Sequence, residues 1–161
     1  MADLRPADVE RVGSSNALHQ TALRLLEDVE ASPPQVDIAV EPEIEGIADE
    51  LWFAIAREIL TNAVMHSHGE HITLTLTREG QRMRLEVDDD GKGIAPGRRR
   101  DARREGHIGL AACAERAASH GGTFDIVTDT GRGTTVVVTL PVDERPGESP
   151  DGQRRAAEQR V

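Results

Sequence analysis

Several short segments of this 161-residue chain combine acid, amide and glycine residues at spacings that could hold a ligand. Met83, Leu85 and Val87 alternate with Arg82, Arg84 and Glu86, the period-two pattern of a strand with one buried face. Carrying that parity forward puts Asp89 on the buried face, where a carboxylate needs a donor. Gly91 and Gly93 follow and would leave room for close approach by a ligand. Asp88 and Asp90, of opposite parity, read as an acidic turn capping the strand. Glu58 and Asn62 lie four apart in a helical stretch, on the face that also holds Leu51 and Ile55. A carboxylate and an amide there offer oxygen ligands suited to Mg²⁺, which keeps most of its waters. Gly106-His107-Ile108-Gly109-Leu110 opens a helix, and the free N–H groups and dipole of a helix start favour phosphate. Gly131 to Thr135 reads as an ordinary hairpin turn. His66, His68 and His71 do not follow a zinc spacing, and Cys113, the only thiol, reads as a small core residue.

The elements that must position these residues are legible from periodicity. Ala7 to Ala31 reads as a helix, with Leu18, Ala22, Leu25, Leu26 and Val29 at helical spacing, ended by Ser32-Pro33-Pro34. Val36 to Val40 reads as a short strand and Ile47 to His66 as the longest helix. Ile72, Leu74 and Leu76 mark a strand that forms a hairpin with Arg82 to Asp88 through the Arg78-Glu79-Gly80-Gln81 turn. Gly91 to Gly106, with six basic residues and four glycines, reads as a loop. Ile108 to His120 reads as an alanine-rich helix stopped by Gly121-Gly122. Thr123 to Thr128 and Thr134 to Leu140 form a second hairpin. The fold class expected is α+β: a two-layer α/β sandwich, its mixed and largely antiparallel sheet of about five strands covered by about three helices. Residues 1–34 would be an N-terminal helix and linker, 35–141 the main domain, and 142–161 a disordered tail.

Composition narrows the partners. The net charge of −10 argues against nucleic acid, and 2% aromatic residues with no tyrosine leave no stacking platform for bases. One cysteine excludes an intramolecular disulfide and favours a reducing compartment. No apolar run approaches the roughly 20 residues of a membrane helix, so no direct membrane insertion is expected, and Met1 to Glu10 lacks a signal-peptide pattern. A cytoplasmic domain is the expectation.

In this order and spacing the segments resemble the ATP-binding domain of the GHKL superfamily, which includes gyrase, the large heat-shock chaperone, histidine kinases and mismatch-repair proteins. Arg57-Glu58-Ile59-Leu60-Thr61-Asn62-Ala63 resembles the N box, Asp89-Asp90-Gly91-Lys92-Gly93 the Asp-x-Gly-x-Gly G1 box, Gly106 to Leu110 the G2 box, and Gly131-Arg132-Gly133-Thr134 the last glycine box. Gly109-Leu110 through Glu115-Arg116-Ala117 to Gly121-Gly122 resembles the sensor histidine kinases that pair with LuxR-type response regulators. The resemblance spans about Val36 to Pro141 and implies a Bergerat-type sandwich with ATP and Mg²⁺ as cofactors. It implies that Asp89 accepts a hydrogen bond from the adenine amino group, with Gly93 and Thr134 lining the base pocket. Gly91, Lys92 and Ile94 would also contact the nucleotide. Asn62 would coordinate Mg²⁺, with Glu58 beside it as a second metal-side and catalytic group. His66 would fall near the phosphates, Lys92 to Gly106 would be the ATP lid, and the amides of Gly106, His107, Ile108, Gly109 and Leu110 would meet phosphate.

Kinases of this kind carry a phosphoaccepting histidine in an Arg-Glu-Leu-His-Asp-like segment, and this sequence has none. Asp3-Leu4-Arg5-Pro6 resembles the far end of that region, and His19 lacks the acidic neighbour. The expectation is therefore a catalytic domain that donates the γ-phosphoryl group to a histidine on a separate dimerisation domain, for relay to a response regulator. An anti-sigma-factor-type protein serine kinase, acting as a regulatory binding module, is the alternative. A nucleotide sensor without transfer activity is a third reading.

Overall fold

The computed structural model describes residues 14–30, 32–44, 50–94 and 108–142. Its elements run α1 (Ser14–Glu27), β1 (Gln35–Val40), a single 3₁₀ turn (Pro42–Ile44), α2 (Glu50–His66), β2 (His71–Glu79), β3 (Arg82–Asp89), α3 (Ile108–Ser119), β4 (Thr123–Asp129) and β5 (Gly133–Pro141). The strands form one sheet in the order β1-β2-β3-β5-β4. Only the β1–β2 pair is parallel, and α2 supplies the crossover such a pair needs. This is the mixed, largely antiparallel sheet that the alternation in the sequence implies.

Period-two patterning decides which face of the sheet is covered. Ile72, Leu74 and Leu76 on β2, Met83, Leu85 and Val87 on β3, and Val136, Val138 and Leu140 on β5 are all buried against the helices. Their neighbours on the other face, among them Thr73, Arg82 and Asp88, are exposed, and Arg84 there pairs with Glu86. The helix α2 lies at the centre of the helical layer, in contact with α1, α3, β2 and β3. Eight of its 17 residues are buried, including Trp52, Phe53, Ile55 and Ile59. Ala17, Leu18 and Ala22 dock α1, and Leu110, Cys113 and Ala117, at spacings of three and four, dock α3. Cys113 is a buried core thiol, pushed up to about 11 by burial and by the nearby Glu58 charge.

The sequence periodicity does not reveal the 3₁₀ turn or the complete burial of its Ile44. The start expected for the first helix (before Ser14), the first residues expected for the second (47–49) and the tail beyond Val142 lie outside the described residues, as does the expected lid (Lys92 to Gly106) beyond Ile94. No helix among the described residues is long and apolar enough to cross a membrane.

Candidate functional site

A cleft of about 590 Å³ opens between α2, the end of β3, the start of α3 and the β4–β5 hairpin. Its apolar wall comes from Ile59 and Ala63 on α2, Val87 on β3, Leu110 on α3 and Val136 on β5. Its polar groups are Asn62, His66, Ser67, Asp89, Lys92, Thr130 and Thr134. An apolar cleft with a few convergent polar groups is the ordinary form of a small-molecule site.

Asp89 is 7% exposed, where strand parity places it. It lies between Ile72 on β2 and Thr134 on β5 in the sheet. Its Oδ1 accepts a hydrogen bond from the Gly91 N–H at 3.0 Å. Burial raises its carboxyl above the ordinary 3.8; the Gly91 amide opposes that shift, and the neighbouring Asp88 charge adds to it. Asp90 faces the other way. Its Oδ1 accepts from the backbone N–H groups of Glu70 and His71 at 2.7 and 2.9 Å, and its Oδ2 lies 3.1 Å from His71 Nδ1. It therefore caps the start of β2, while Asp88 accepts from the Thr135 hydroxyl.

The segment after β3 is tied down at nearly every residue. Lys92 donates its N–H to the Ser67 carbonyl at 2.9 Å and accepts from the Gly131 N–H at 2.8 Å. Gly93 has φ +67°, and a Cβ there would run into the Asp129 carbonyl, so glycine is required on both counts. Ile94 donates its N–H to Thr128 Oγ1 at 2.8 Å. Gly91 packs against the Ser67 carbonyl and does not itself line the cleft.

Glu58 and Asn62 share a face of α2 at the edge of its buried surface, both half-buried. Asn62 lines the cleft, whereas Glu58 lines an adjoining groove of about 300 Å³ between α1 and α2, with Thr21, Arg24, Leu25, Phe53, Arg57 and Thr61. The two side chains thus share a helix face but line different cavities. They remain linked, because Asn62 Nδ2 donates to the Glu58 carbonyl at 2.8 Å and lies 3.3 Å from Glu58 Oε1. With its nitrogen so engaged, the Asn62 carbonyl oxygen is the end left for a hard cation. One amide oxygen fits Mg²⁺ only when phosphate and water supply the other ligands. Gly109 also stays out of the cleft wall; a Cβ on it would collide with Glu58 Oε1. His66 lines the cleft, while His71 pairs with Asp90. Gly106 and His107 lie outside the described residues, and Ile108 begins α3.

Sequence reasoning named Ile94 and Leu110 but missed Ser67, Thr130 and, of the apolar lining, Ile59, Ala63, Val87 and Val136. Val87 and Val136 each stand two residues from a polar lining residue on their strands, a signal that period-two reading could have used. Ser67 carries no such signal.

With this geometry in place, the likeness to known proteins has a physical basis. Residues 46–144 match the family described as histidine kinase-, DNA gyrase B-, and HSP90-like ATPase, and the chain belongs to that family. Two sensor histidine kinases are similar over most of the chain. NarS of Mycobacterium tuberculosis is 32% identical over 140 residues, covering 87% of this chain and 32% of that protein. LiaS of Bacillus subtilis is 31% identical over 150 residues, covering 91% of this chain and 39% of that protein. The chain thus spans about a third of the length of the curated relatives it matches. The blue-light activated histidine kinase of Erythrobacter litoralis EL346 shares the fold, with a TM-score of 0.67 at 21% identity over 88% of this chain and 45% of that one. Among the branches of the family, the sequence relatives place the chain with the ATP-binding catalytic domains of sensor histidine kinases.

Proposed function

We propose that the chain binds Mg-ATP in the cleft and donates the γ-phosphoryl group to a histidine on a separate dimerisation domain, of the same or a partner kinase. A response regulator, of the LuxR type by the resemblance noted above, would take the phosphoryl group onward, in the cytoplasm. The observation that carries this reading is the buried Asp89 carboxylate in the cleft, with the Asn62 amide on the facing helix. In this reading Asp89 accepts a hydrogen bond from the adenine amino group, and Gly93, Ile94 and Thr134 border the base. Asn62 holds Mg²⁺ through its amide oxygen, and the cation neutralises phosphate charge. His66 stands towards the phosphates, the amides from Gly106 to Leu110 would meet phosphate, and Lys92 to Gly106 would serve as the lid. Glu58 polarises the attacking group or takes its proton. Phosphoryl transfer depends on such positioning and charge neutralisation more than on covalent help from the protein. The likeness to sensor histidine kinases over most of this chain favours this reading over the anti-sigma-type serine kinase.

Titration calorimetry tests the adenine assignment. Asp89→Asn should weaken ATP binding by about 2–3 kcal/mol, the worth of a hydrogen bond to a charged acceptor. Unchanged affinity in a folded variant would remove Asp89 from that role. Mixing the chain with labelled ATP and a separate dimerisation domain should give acid-labile phosphate on the added domain. Label on serine would point to the alternative.

A further inference from the structure

Thr128 on β4 does not line the cleft, yet its hydroxyl meets three groups that shape it. The Ile94 N–H donates to Thr128 Oγ1 at 2.8 Å, the Gly133 carbonyl lies at 3.2 Å, and Thr134 Oγ1 lies at 3.1 Å. A hydroxyl has one proton and two lone pairs. The carbonyl can only accept and the amide can only donate. All three contacts are therefore satisfied in one way: Thr128 donates to Gly133, and accepts from both Ile94 and the Thr134 hydroxyl. The single side-chain proton of Thr134 is then turned away from the cleft, and its oxygen offers lone pairs alone. Thr134 is the cross-strand partner of Asp89, and both line the cleft. Two acceptors consequently stand side by side, with no hydroxyl proton between them.

We propose that Thr128 is a positioning and specificity-determining residue: by holding the Thr134 proton, it makes this end of the cleft accept from a purine amino group and reject a purine carrying a carbonyl there. A carbonyl facing two acceptors has nothing to bond, and an unpaired buried acceptor is costly. The proposal rests on the ATP reading above, with the base seated at Asp89.

The experiment measures dissociation constants for ATP and ITP, which differ in the amino or carbonyl group at that ring position and in the proton the carbonyl form carries on the adjacent ring nitrogen. The intact chain is compared with Thr128→Val, which keeps the shape and loses the hydroxyl, and with Thr128→Ser, which keeps the hydroxyl. The unsubstituted chain should prefer ATP. Thr128→Val should lose about tenfold of that preference, the worth of one hydrogen bond, while Thr128→Ser stays within about twofold. The ATP-to-ITP ratio is not moved by a loss of stability alone. Thr128→Ala gives the same test if the valine variant does not fold. A ratio unchanged in the hydroxyl-free variant overturns the proposal. So does a ratio that falls equally in Thr128→Ser, since the methyl group would then be responsible. Asp89→Asn keeps the two ideas separable: normal ATP affinity there defeats the adenine assignment, whereas weakened affinity beside an unchanged Thr128→Val ratio defeats the role of Thr128 alone.

Discussion

Gly109 occupies the second position of α3, where an alanine would ordinarily favour the helix by about 1 kcal/mol. Here a Cβ would stand where Glu58 places its carboxylate. The obstacle is the far end of a flexible side chain, so Gly109→Ala should leave the thermal midpoint within a few degrees of the original. What changes is the place of Glu58: its carboxylate must swing away from α3 and from Asn62. If Glu58 handles a proton in phosphoryl transfer, the rate should fall on the order of 10²-fold. ATP affinity should be nearly untouched, because the variant keeps the Gly109 backbone N–H and Glu58 does not line the cleft. Single-turnover transfer at saturating ATP, with calorimetry alongside, checks both halves. Equal loss in affinity and rate would show that Glu58 belongs to binding instead.

The end of β3 sends two adjacent carboxylates into opposite environments, and the sheet register makes them titrate in opposite directions. Burial raises Asp89, whereas the His71 backbone N–H, and then the His71 ring, lower Asp90. For Asp89 the native chain holds its proton more tightly than the unfolded chain. Its contribution to stability is full below about pH 3.8 and is lost as pH rises through the raised native value. For Asp90 the contribution is present above 3.8 and is lost as pH falls through the lowered native value. Urea unfolding across pH should therefore show Asp89→Asn gaining on the unsubstituted chain as pH rises above 3.8. Asp90→Asn should lose ground over the range just below it. Parallel curves for the two variants would contradict this account. Strand parity was enough to find Asp89, because the alternation of Met83, Leu85 and Val87 continues one step into the acidic run. Parity could not find Thr128, whose importance depends on lying opposite Thr134 across a hairpin. Nor could it turn Glu58 out of the cleft, since the glycine that makes room for it sits on another helix.

At the scale of the molecule, the fold class was readable because one face of the sheet and one side of each helix carry nearly all the apolar residues. Strand order was not readable. Nothing in the periodicity says that β5 enters between β3 and β4, or that β1 joins β2 in parallel. That placement of β5 sets a schedule for the chain as it is made. Asp89 and Thr134 face each other across β3 and β5, yet 45 residues separate them in sequence. Until β5 emerges, β3 has an open edge and the cleft lacks one wall. Pairings so distant in sequence form late, after the cost in loop entropy has been met. Ribosome-bound chains halted at successive lengths should gain protection by an ATP analogue only after Pro141 has left the exit tunnel. Chains halted before Gly133 should gain none, although they already carry the N-box residues and Asp89. Nucleotide would then act on synthesis as a ligand that recognises the arrival of β5, since a chain lacking that strand offers it half a site.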